Sequence, residues 1–292
     1  MELIAAQLVN GITLGSTYAL VALGFTFVYS VLKILQLAHG ELIVATMYIA
    51  WQVYEWTGNM VLGFAAGMIV VIILSLLMER FGFRHLRQRQ SRFHEPIVLA
   101  IAIAMLLTEL FAQLFNAGEP APFPSSITSY GSAFNIGLTT FTEKDIYIII
   151  TALIVLLGFT FFLNSTKHGR ALRAVAVDWK IATLLGIPVD RAARMCFIIS
   201  GALAAVTGIL LAAYLGSSYP SLGGSLSFKG IAIMLFAGAG SFIGAAIMGL
   251  TLGIIEVMTL QFIGGAWRNG VSFAAIIIVL MFRPQGVFGT KY

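Results

Sequence analysis

Long apolar stretches separated by short polar segments run through the whole chain. Stretches such as VIILSLLM do not alternate apolar and polar residues, so transmembrane β-strands are not indicated. Several approach or exceed the roughly 20 residues that an α-helix needs to cross a bilayer. The apolar runs cover residues 8–31, 37–54, 60–78, 97–115, 146–163, 195–214, two within 219–260 around a glycine-rich hairpin at 239–241, and 271–282. This pattern predicts an all-α polytopic membrane protein of about nine transmembrane helices, within a range of eight to ten.

Two longer polar segments interrupt the apolar pattern. Residues 116–144, with three prolines and many Ser, Thr and Gly, are expected to form an external loop. Residues 164–194 are rich in charge, and at 100° per residue their central part places apolar and basic side chains on neighbouring faces of a helix. The apolar set is Leu172, Val175, Ala176, Trp179 and Ala182, and the basic set is Arg170, Arg173 and Lys180.

Gly186 followed by Pro188 ends this helix, because glycine accepts a left-handed turn and proline cannot continue a helix. The segment is therefore expected to contain one amphipathic helix of about 16 residues between two transmembrane helices. Such a helix either lies on anionic lipid or docks into the groove of a partner protein, and the pattern leaves both open.

Composition and charge support the membrane assignment and give an orientation. The chain is 59% hydrophobic and 10% charged, with a mean hydropathy of +0.96, whereas a soluble domain is about 25% charged. The segments around residues 30–36, 79–95, 164–194 and 283–292 hold 14 of the 17 Lys and Arg residues. Because positive charge collects on the cytoplasmic side, these segments are expected there, with the amino terminus external and the carboxy terminus cytoplasmic.

Few residues suit catalysis or metal binding. The sequence contains no G-x-x-x-x-G-K-[ST] motif, so the chain does not cradle ATP in a P-loop of its own. Its single cysteine, Cys196, excludes an internal disulfide and a cysteine-based metal cluster. The four histidines fall at or near predicted cytoplasmic helix ends without zinc-site spacing. We therefore expect no catalytic residues, no metal site and no cofactor in this chain, and no nucleic-acid partner.

Polar side chains inside apolar runs are the candidates for a substrate path. An acid at the bilayer centre costs about 2.5 to 3.5 kcal/mol, so it is expected to face protein or water. Glu41 is expected near the cytoplasmic end of the second run, in a structural or gating role. The remaining acids are expected to lack a basic partner within the helices. The path candidates are Ser16, Tyr18, Thr108, Glu109, Gln113 and Glu256.

Motifs along nearly all 292 residues resemble one known family, the bacterial branched-chain amino acid ABC transporter permeases. The segment GRALRAVAVDWKIATLLGIPVDR at 169–191 is similar to the family's cytoplasmic coupling segment, although Trp179-Lys180-Ile181 stands where the family more often has a proline or an acid. LAHGE at 37–41, AGAGS at 237–241 and FRPQG at 282–286 are similar to further signatures of the family. The length suits the shorter of the two permeases that such systems pair.

The resemblance implies a single transmembrane permease domain over residues 1–292 in the bacterial inner membrane, contacting lipid. A second homologous permease, two cytoplasmic ABC ATPases that carry ATP and Mg, and a periplasmic binding protein are the implied partners. Branched-chain or other hydrophobic amino acids are the implied substrates. The residues expected to contact the ATPases are Arg170, Arg173, Asp178, Trp179, Lys180 and Gly186.

Other functions remain open at this stage. Relatives within the same family are associated with urea, short amides and other amino acids. A proton-coupled secondary carrier that uses Glu109 and Glu256 is an alternative of another class. A membrane enzyme is a weaker third alternative, since no polar catalytic constellation is present.

Overall fold

A computed structural model describes residues 2–89, 94–115, 119–124, 133–136 and 139–289. Parts of the expected external loop 116–144, namely 116–118, 125–132 and 137–138, lie outside these residues. The helices are α1 (Glu2–Leu32), α2 (His39–Thr57), α3 (Met60–Leu77), α4 (Arg84–Gln88), α5 (His94–Leu114), α6 (Glu143–Ser165), α7 (Lys167–Val177), α8 (Trp179–Leu184), α9 (Val189–Leu215), α10 (Leu222–Ala237), α11 (Phe242–Phe262) and α12 (Arg268–Phe282). A π-helical turn, Met78–Phe83, joins α3 to α4, and a 3-10 turn, Gly265–Trp267, precedes α12.

The described helices match the predicted apolar runs. Seven of them are long and apolar enough to cross a membrane within the described part of the chain, and α10 is a shorter apolar helix. Together with the 19-residue α2 they account for all nine predicted runs. Four short strands form two antiparallel pairs, Ala121–Pro122 with Ser217–Ser218 and Ala133–Ile136 with Thr139–Thr142. The protein is thus an all-α multi-pass membrane protein.

The long helix α1 is the buried centre of the bundle, and glycines let α11 pack closely along it. A Cβ atom added at Gly11 would lie 2.9 Å from the Cα of Ile254, and one added at Gly15 would lie 2.7 Å from the Cα of Leu250. Gly253 and Gly15 face each other at the same contact. The Gly11-x-x-x-Gly15 spacing therefore serves the close helix approach that small residues permit in membranes.

Helix α2 begins inside the bundle rather than at its end. Its first residue, His39, packs against Gly24 of α1, eight residues before that helix ends. At 1.5 Å per residue this places the start of α2 about 12 Å inside the end of α1. Residues 33–38 turn back into the bundle to reach this depth. The expectation that His39 and Glu41 lie near a membrane surface was therefore wrong, because the apolar pattern does not show where a re-entrant segment begins.

Helix α10 also begins inside the bundle, where it meets the start of α2. A Cβ atom added at Gly223 would collide with the carboxylate of Glu41. The Gly40 amide donates to the Ser227 hydroxyl at 3.1 Å, and that hydroxyl donates to the Leu37 carbonyl at 2.6 Å. The amino-terminal ends of two interrupted helices therefore face each other in the interior of the bundle. Broken helices of this kind line the transport sites of many membrane carriers.

The helix pairs around this junction are arranged in the same way in the two halves of the chain. As α11 packs along α1, α3 packs along α9: the Ser75 hydroxyl donates to the Phe197 carbonyl at 2.7 Å, and Gly201 lies against Ser75. In each half a long helix is followed by a short re-entrant segment, an interrupted helix and a tight turn, at Gly58 in the first half and Gly238–Ser241 in the second. This order corresponds to an inverted repeat, which the sequence does not reveal.

The polar segment 164–194 forms two helices rather than the predicted single one. Asp178 is extended, with φ −154° and ψ 113°, and separates α7 from α8. Its carboxylate accepts hydrogen bonds from the amides of Lys180 and Ile181, so it caps the start of α8. The apolar periodicity continues through Asp178. It therefore does not show that this aspartate ends one helix and caps the next. Gly186 ends α8 with φ +79°, as predicted.

Candidate functional site

A cluster of charged side chains lies within the bundle around Glu256 of α11. The Glu256 side chain is fully buried, and its Oε1 atom lies 2.6 Å from Nζ of Lys229 on α10. The Tyr18 hydroxyl of α1 donates to the same Oε1 at 3.1 Å and accepts from Lys229 at 2.9 Å. Arg268, at the start of α12, forms a second ion pair with Glu256. Four helices are thus joined through one carboxylate.

This cluster corrects the expectation that the buried acids lack basic partners. Tyr18 and Glu256 are predicted path residues, whereas Lys229 and Arg268 are two of the three Lys and Arg residues outside the predicted cytoplasmic segments. Lys229 has only 10% of its side chain exposed and Arg268 has 33%. Both cations lie within or beside apolar runs of the sequence. This position could have indicated a paired charge, since a charge in such a run is costly without a partner. With two cations around one carboxylate, the cluster carries a net charge of +1.

Glu41 occupies the junction where α2 and α10 begin. It is 2% exposed, and Thr108 of α5 lies near its carboxylate, although the Thr108 hydroxyl donates to the Ala104 carbonyl of its own helix at 3.0 Å. The Oε2 atom of Glu41 is buried without a hydrogen-bond partner among the described residues. The positive ends of the two helix dipoles favour a carboxylate at this place. Thr108, one of the path candidates, thus contacts this junction from the side of α5.

The other path candidates lie apart from these two groups. Glu109 and Gln113 are exposed on the outer face of α5, where the amide of Gln113 donates to the Glu109 carboxylate at 2.8 Å. Ser16 is buried, and its hydroxyl donates to the Ile12 carbonyl of its own helix at 2.8 Å. The six candidates therefore do not form one site within this chain. Two belong to the Glu256 cluster, one lies near Glu41, two face outwards, and Ser16 bonds to its own helix.

At the end of the bundle that carries α4, α7 and α8, which we call the basic end, arginines fix α7 against α6. Arg173 donates to the Asn164 side chain at 2.8 Å, and Arg170 donates to the Ser165 carbonyl at 3.4 Å. Both therefore satisfy groups at the end of α6. A Cβ atom at Gly169 would collide with the Phe162 and Leu163 carbonyls, which explains the glycine before these arginines.

The apolar side chains of α7 and α8 divide into an inner and an outer set. Leu172, Val175 and Ala182 are buried against the bundle, whereas the amphipathic pattern predicts that this face meets lipid or a partner protein. Trp179, expected on the same face, is 48% exposed because the break at Asp178 rotates α8 relative to α7. The outer set, which we call the coupling surface, is Val177 (88% exposed), Ile181 (56%), Leu184 (87%) and Leu185 (74%).

Comparisons with known proteins cover nearly the whole chain. Residues 7–280 match the family described as branched-chain amino acid transport system, permease component. The chain is 33% identical to the high-affinity branched-chain amino acid transport system permease protein LivH of Salmonella typhimurium, over 97% of this chain and 94% of that protein. It is also 33% identical to the corresponding protein BraD of Pseudomonas aeruginosa, over 97% and 95%. The chain therefore belongs to the branched-chain amino acid transport system permease family.

Proposed function

We propose that this chain is a membrane-spanning subunit of an ATP-driven importer for branched-chain or other hydrophobic amino acids. The names of LivH and BraD support the substrate class, since both are branched-chain amino acid permease proteins that align over nearly all of this chain. Without a P-loop in its sequence, the chain depends on separate ATPase subunits for energy. A binding protein on the external side delivers the substrate, and a second permease completes the path.

The exposed coupling surface is the observation that carries this proposal. Four apolar side chains project from a short element that Arg170 and Arg173 hold firmly against α6. A rigid apolar projection suits a groove on a partner protein, because docking removes its apolar area from water without ordering a flexible loop. We propose that one ATPase binds α7 and α8 through this surface, with Asp178, Lys180 and Gly186 setting the shape of the contact.

The outward-facing polar pair of α5 supports a second permease subunit. Glu109 and Gln113 are exposed beside apolar side chains such as Met105, which is 68% exposed. A carboxylate facing lipid is costly, whereas one facing a protein-lined aqueous path is not. We propose that this face of α5 meets the second permease, and that substrate passes between the two subunits, close to Thr108 and Glu41.

The positive charges of the basic end support the orientation. Arginines and lysines gather there on α4, α7 and the adjoining segments, which supports the proposal that this end lies in the cytoplasm and the amino terminus outside. The coupling surface then faces the compartment that contains ATP. Reporter fusions to either terminus test this orientation directly.

Replacing one residue of the coupling surface tests the ATPase contact. Leu184→Asp places a charge at the centre of the docking face, so the ATPases are expected to be lost from the purified complex while the chain remains in the membrane. His168→Asp is the matched control, because it adds the same charge to the first turn of α7, where the helix dipole favours an acid. Co-purification of the ATPases with Leu184→Asp at the wild-type ratio, or equal loss with His168→Asp, would contradict the proposed contact.

A further inference from the structure

We propose that Arg87 and Asp190 form an ionic clamp that makes α3 and α9 move as one body when the coupling surface is displaced. This inference rests on the proposed function, since it concerns how ATPase motion reaches the interior of the bundle. It gives Arg87, Asp190 and Glu79 a positioning role. None of the three belongs to the coupling surface or contacts the charged cluster around Glu256.

One guanidinium group holds both ends of the clamp. The Nη2 atom of Arg87 donates to Oε1 of Glu79 at 2.9 Å and to Oδ1 of Asp190 at 2.7 Å. Glu79 has 1% of its side chain exposed, Arg87 has 19%, and Asp190 has 41%. Charge-assisted hydrogen bonds of this kind are strong and directional. The partly buried arginine thus links the end of α3 to the first turn of α9 across more than 100 positions of sequence.

A π-helical turn brings Glu79 into this position. Residues Met78–Phe83 widen the helix between α3 and α4, and the turn directs the Glu79 side chain towards the interior. Turns of this kind are rare and are frequent at functional sites. The ring of Phe83 packs on that of Phe197 of α9 at 5.3 Å, directly beside the ionic contacts. The clamp therefore has an apolar contact as its second component.

Asp190 is also the first charged residue that follows the coupling surface. Between α8 and α9 the backbone is short and closed, with the Ile187 amide bonded to the Ala182 carbonyl and the Arg191 amide bonded to the Pro188 carbonyl. A displacement of α8 is therefore transferred to the first turn of α9, since few free dihedral angles lie between them. Arg87 then transfers the same displacement to α3.

From the clamp, α9 leads to the junction inside the bundle. Ser200, ten residues along α9 from Asp190 and so about 15 Å away, lies 3.1 Å from Nδ1 of His39 at the start of α2. The neighbouring Ser75–Phe197 hydrogen bond keeps α3 in register with α9 over this distance. A shift of the joined pair thus reaches the point where α2 meets α10 and where Glu41 and Thr108 lie.

The test measures ATP hydrolysed per substrate imported, using the full importer reconstituted in vesicles. Asp190→Ala removes the ionic link to α9 but leaves the buried Glu79–Arg87 pair and the Ser75–Phe197 hydrogen bond intact. We expect it to assemble with the ATPases and hydrolyse ATP, but to import at least about fivefold less substrate per ATP, the lower end of typical coupling between sites. Arg87→Lys keeps the charge at the clamp and is expected to retain most of the coupling.

Two arginines of the same region serve as controls. Arg84 reaches Asp190 only at 3.5 Å through a half-exposed pair, so Arg84→Gln is expected to leave the ratio near the wild-type value. Arg80 is exposed on the π-helical turn and lies outside the clamp. Arg80→Gln therefore removes one positive charge from this region, as Arg84→Gln does. If Asp190→Ala does not assemble, Asp190→Asn, which keeps an oxygen acceptor without the charge, is judged by the same ratio.

A wild-type ratio in the Asp190 variant, or equal uncoupling by Arg80→Gln, would overturn the clamp while leaving the importer function intact. Absence of ATP-driven uptake in the unaltered complex would instead overturn the proposed function. The two failures are therefore separate observations.

Discussion

Single residues in this protein are shaped by the cost of placing charge inside a membrane. Glu256 is fully buried, yet Lys229, Arg268 and Tyr18 surround one of its oxygens. Glu41, which is also buried, lies apart from these residues, beside the amino-terminal ends of α2 and α10.

Removing one member of the Glu256 cluster is expected to destabilise the fold. Lys229→Met leaves Arg268 as the remaining cation at Glu256 and removes the Lys229 hydrogen bonds, so we expect a loss of about 1.5 to 3 kcal/mol in the free energy of unfolding. Arg268→Gln is expected to cost less, because a third of the Arg268 side chain is exposed. Lys144→Met, at the start of α6, is the control. Denaturing-detergent titration of the purified variants measures the difference, and equal stability of the Lys229 and Lys144 variants would contradict a stabilising cluster.

At the scale of elements, helix contacts depend on glycines that bring backbones together. Gly253 of α11 lies so close to Gly15 of α1 that an added Cβ atom has no room. Gly158 of α6, in contrast, has no atom within 4 Å of an added Cβ among the described residues. Glycine is thus required at position 253, in the contact between α1 and α11, but not at position 158 of α6.

A pair of alanine substitutions tests this difference. Gly253→Ala forces α1 and α11 apart and is expected to lower the free energy of unfolding by about 1 to 3 kcal/mol, the usual cost of overpacking. Gly158→Ala introduces the same methyl group into open space and removes a flexible residue from a helix, so it is expected to be neutral or slightly stabilising. A similar loss in both variants would show that the α1–α11 contact does not decide the effect.

The elements that sequence could predict are those that follow from local periodicity. The nine helical runs, the hairpin at 238–241 and the turn at Gly186 follow from apolar length and from glycine and proline positions. The interior starts of α2 and α10 could not be predicted, since a re-entrant segment such as residues 33–38, with Lys33 and Gln36, has the same composition as a surface loop between two membrane helices. The partnership of Glu256 with Lys229 and Arg268 depends on contacts between three helices, which one sequence does not encode in any local pattern.

For the molecule as a whole, we propose that the parts transmit a displacement from the basic end to the interior of the bundle. The coupling surface lies at the basic end, and the junction of α2 and α10 lies in the interior. The clamp of Arg87 and Asp190 lies between them. A bundle with closely packed interfaces responds to a displacement by switching between discrete arrangements rather than by bending continuously. Switching the bundle therefore requires an external source of mechanical work, which we propose that the ATPases supply.

Uptake of radiolabelled leucine by vesicles that contain the purified importer tests this central claim most directly. The vesicles carry the ATPases, the second permease and the binding protein, with ATP enclosed on the side of the basic end. We predict uptake that requires enclosed ATP and the binding protein and that is unchanged when a proton ionophore removes the proton gradient. Uptake by the permease alone, driven by a proton gradient without ATP or ATPases, would contradict the account.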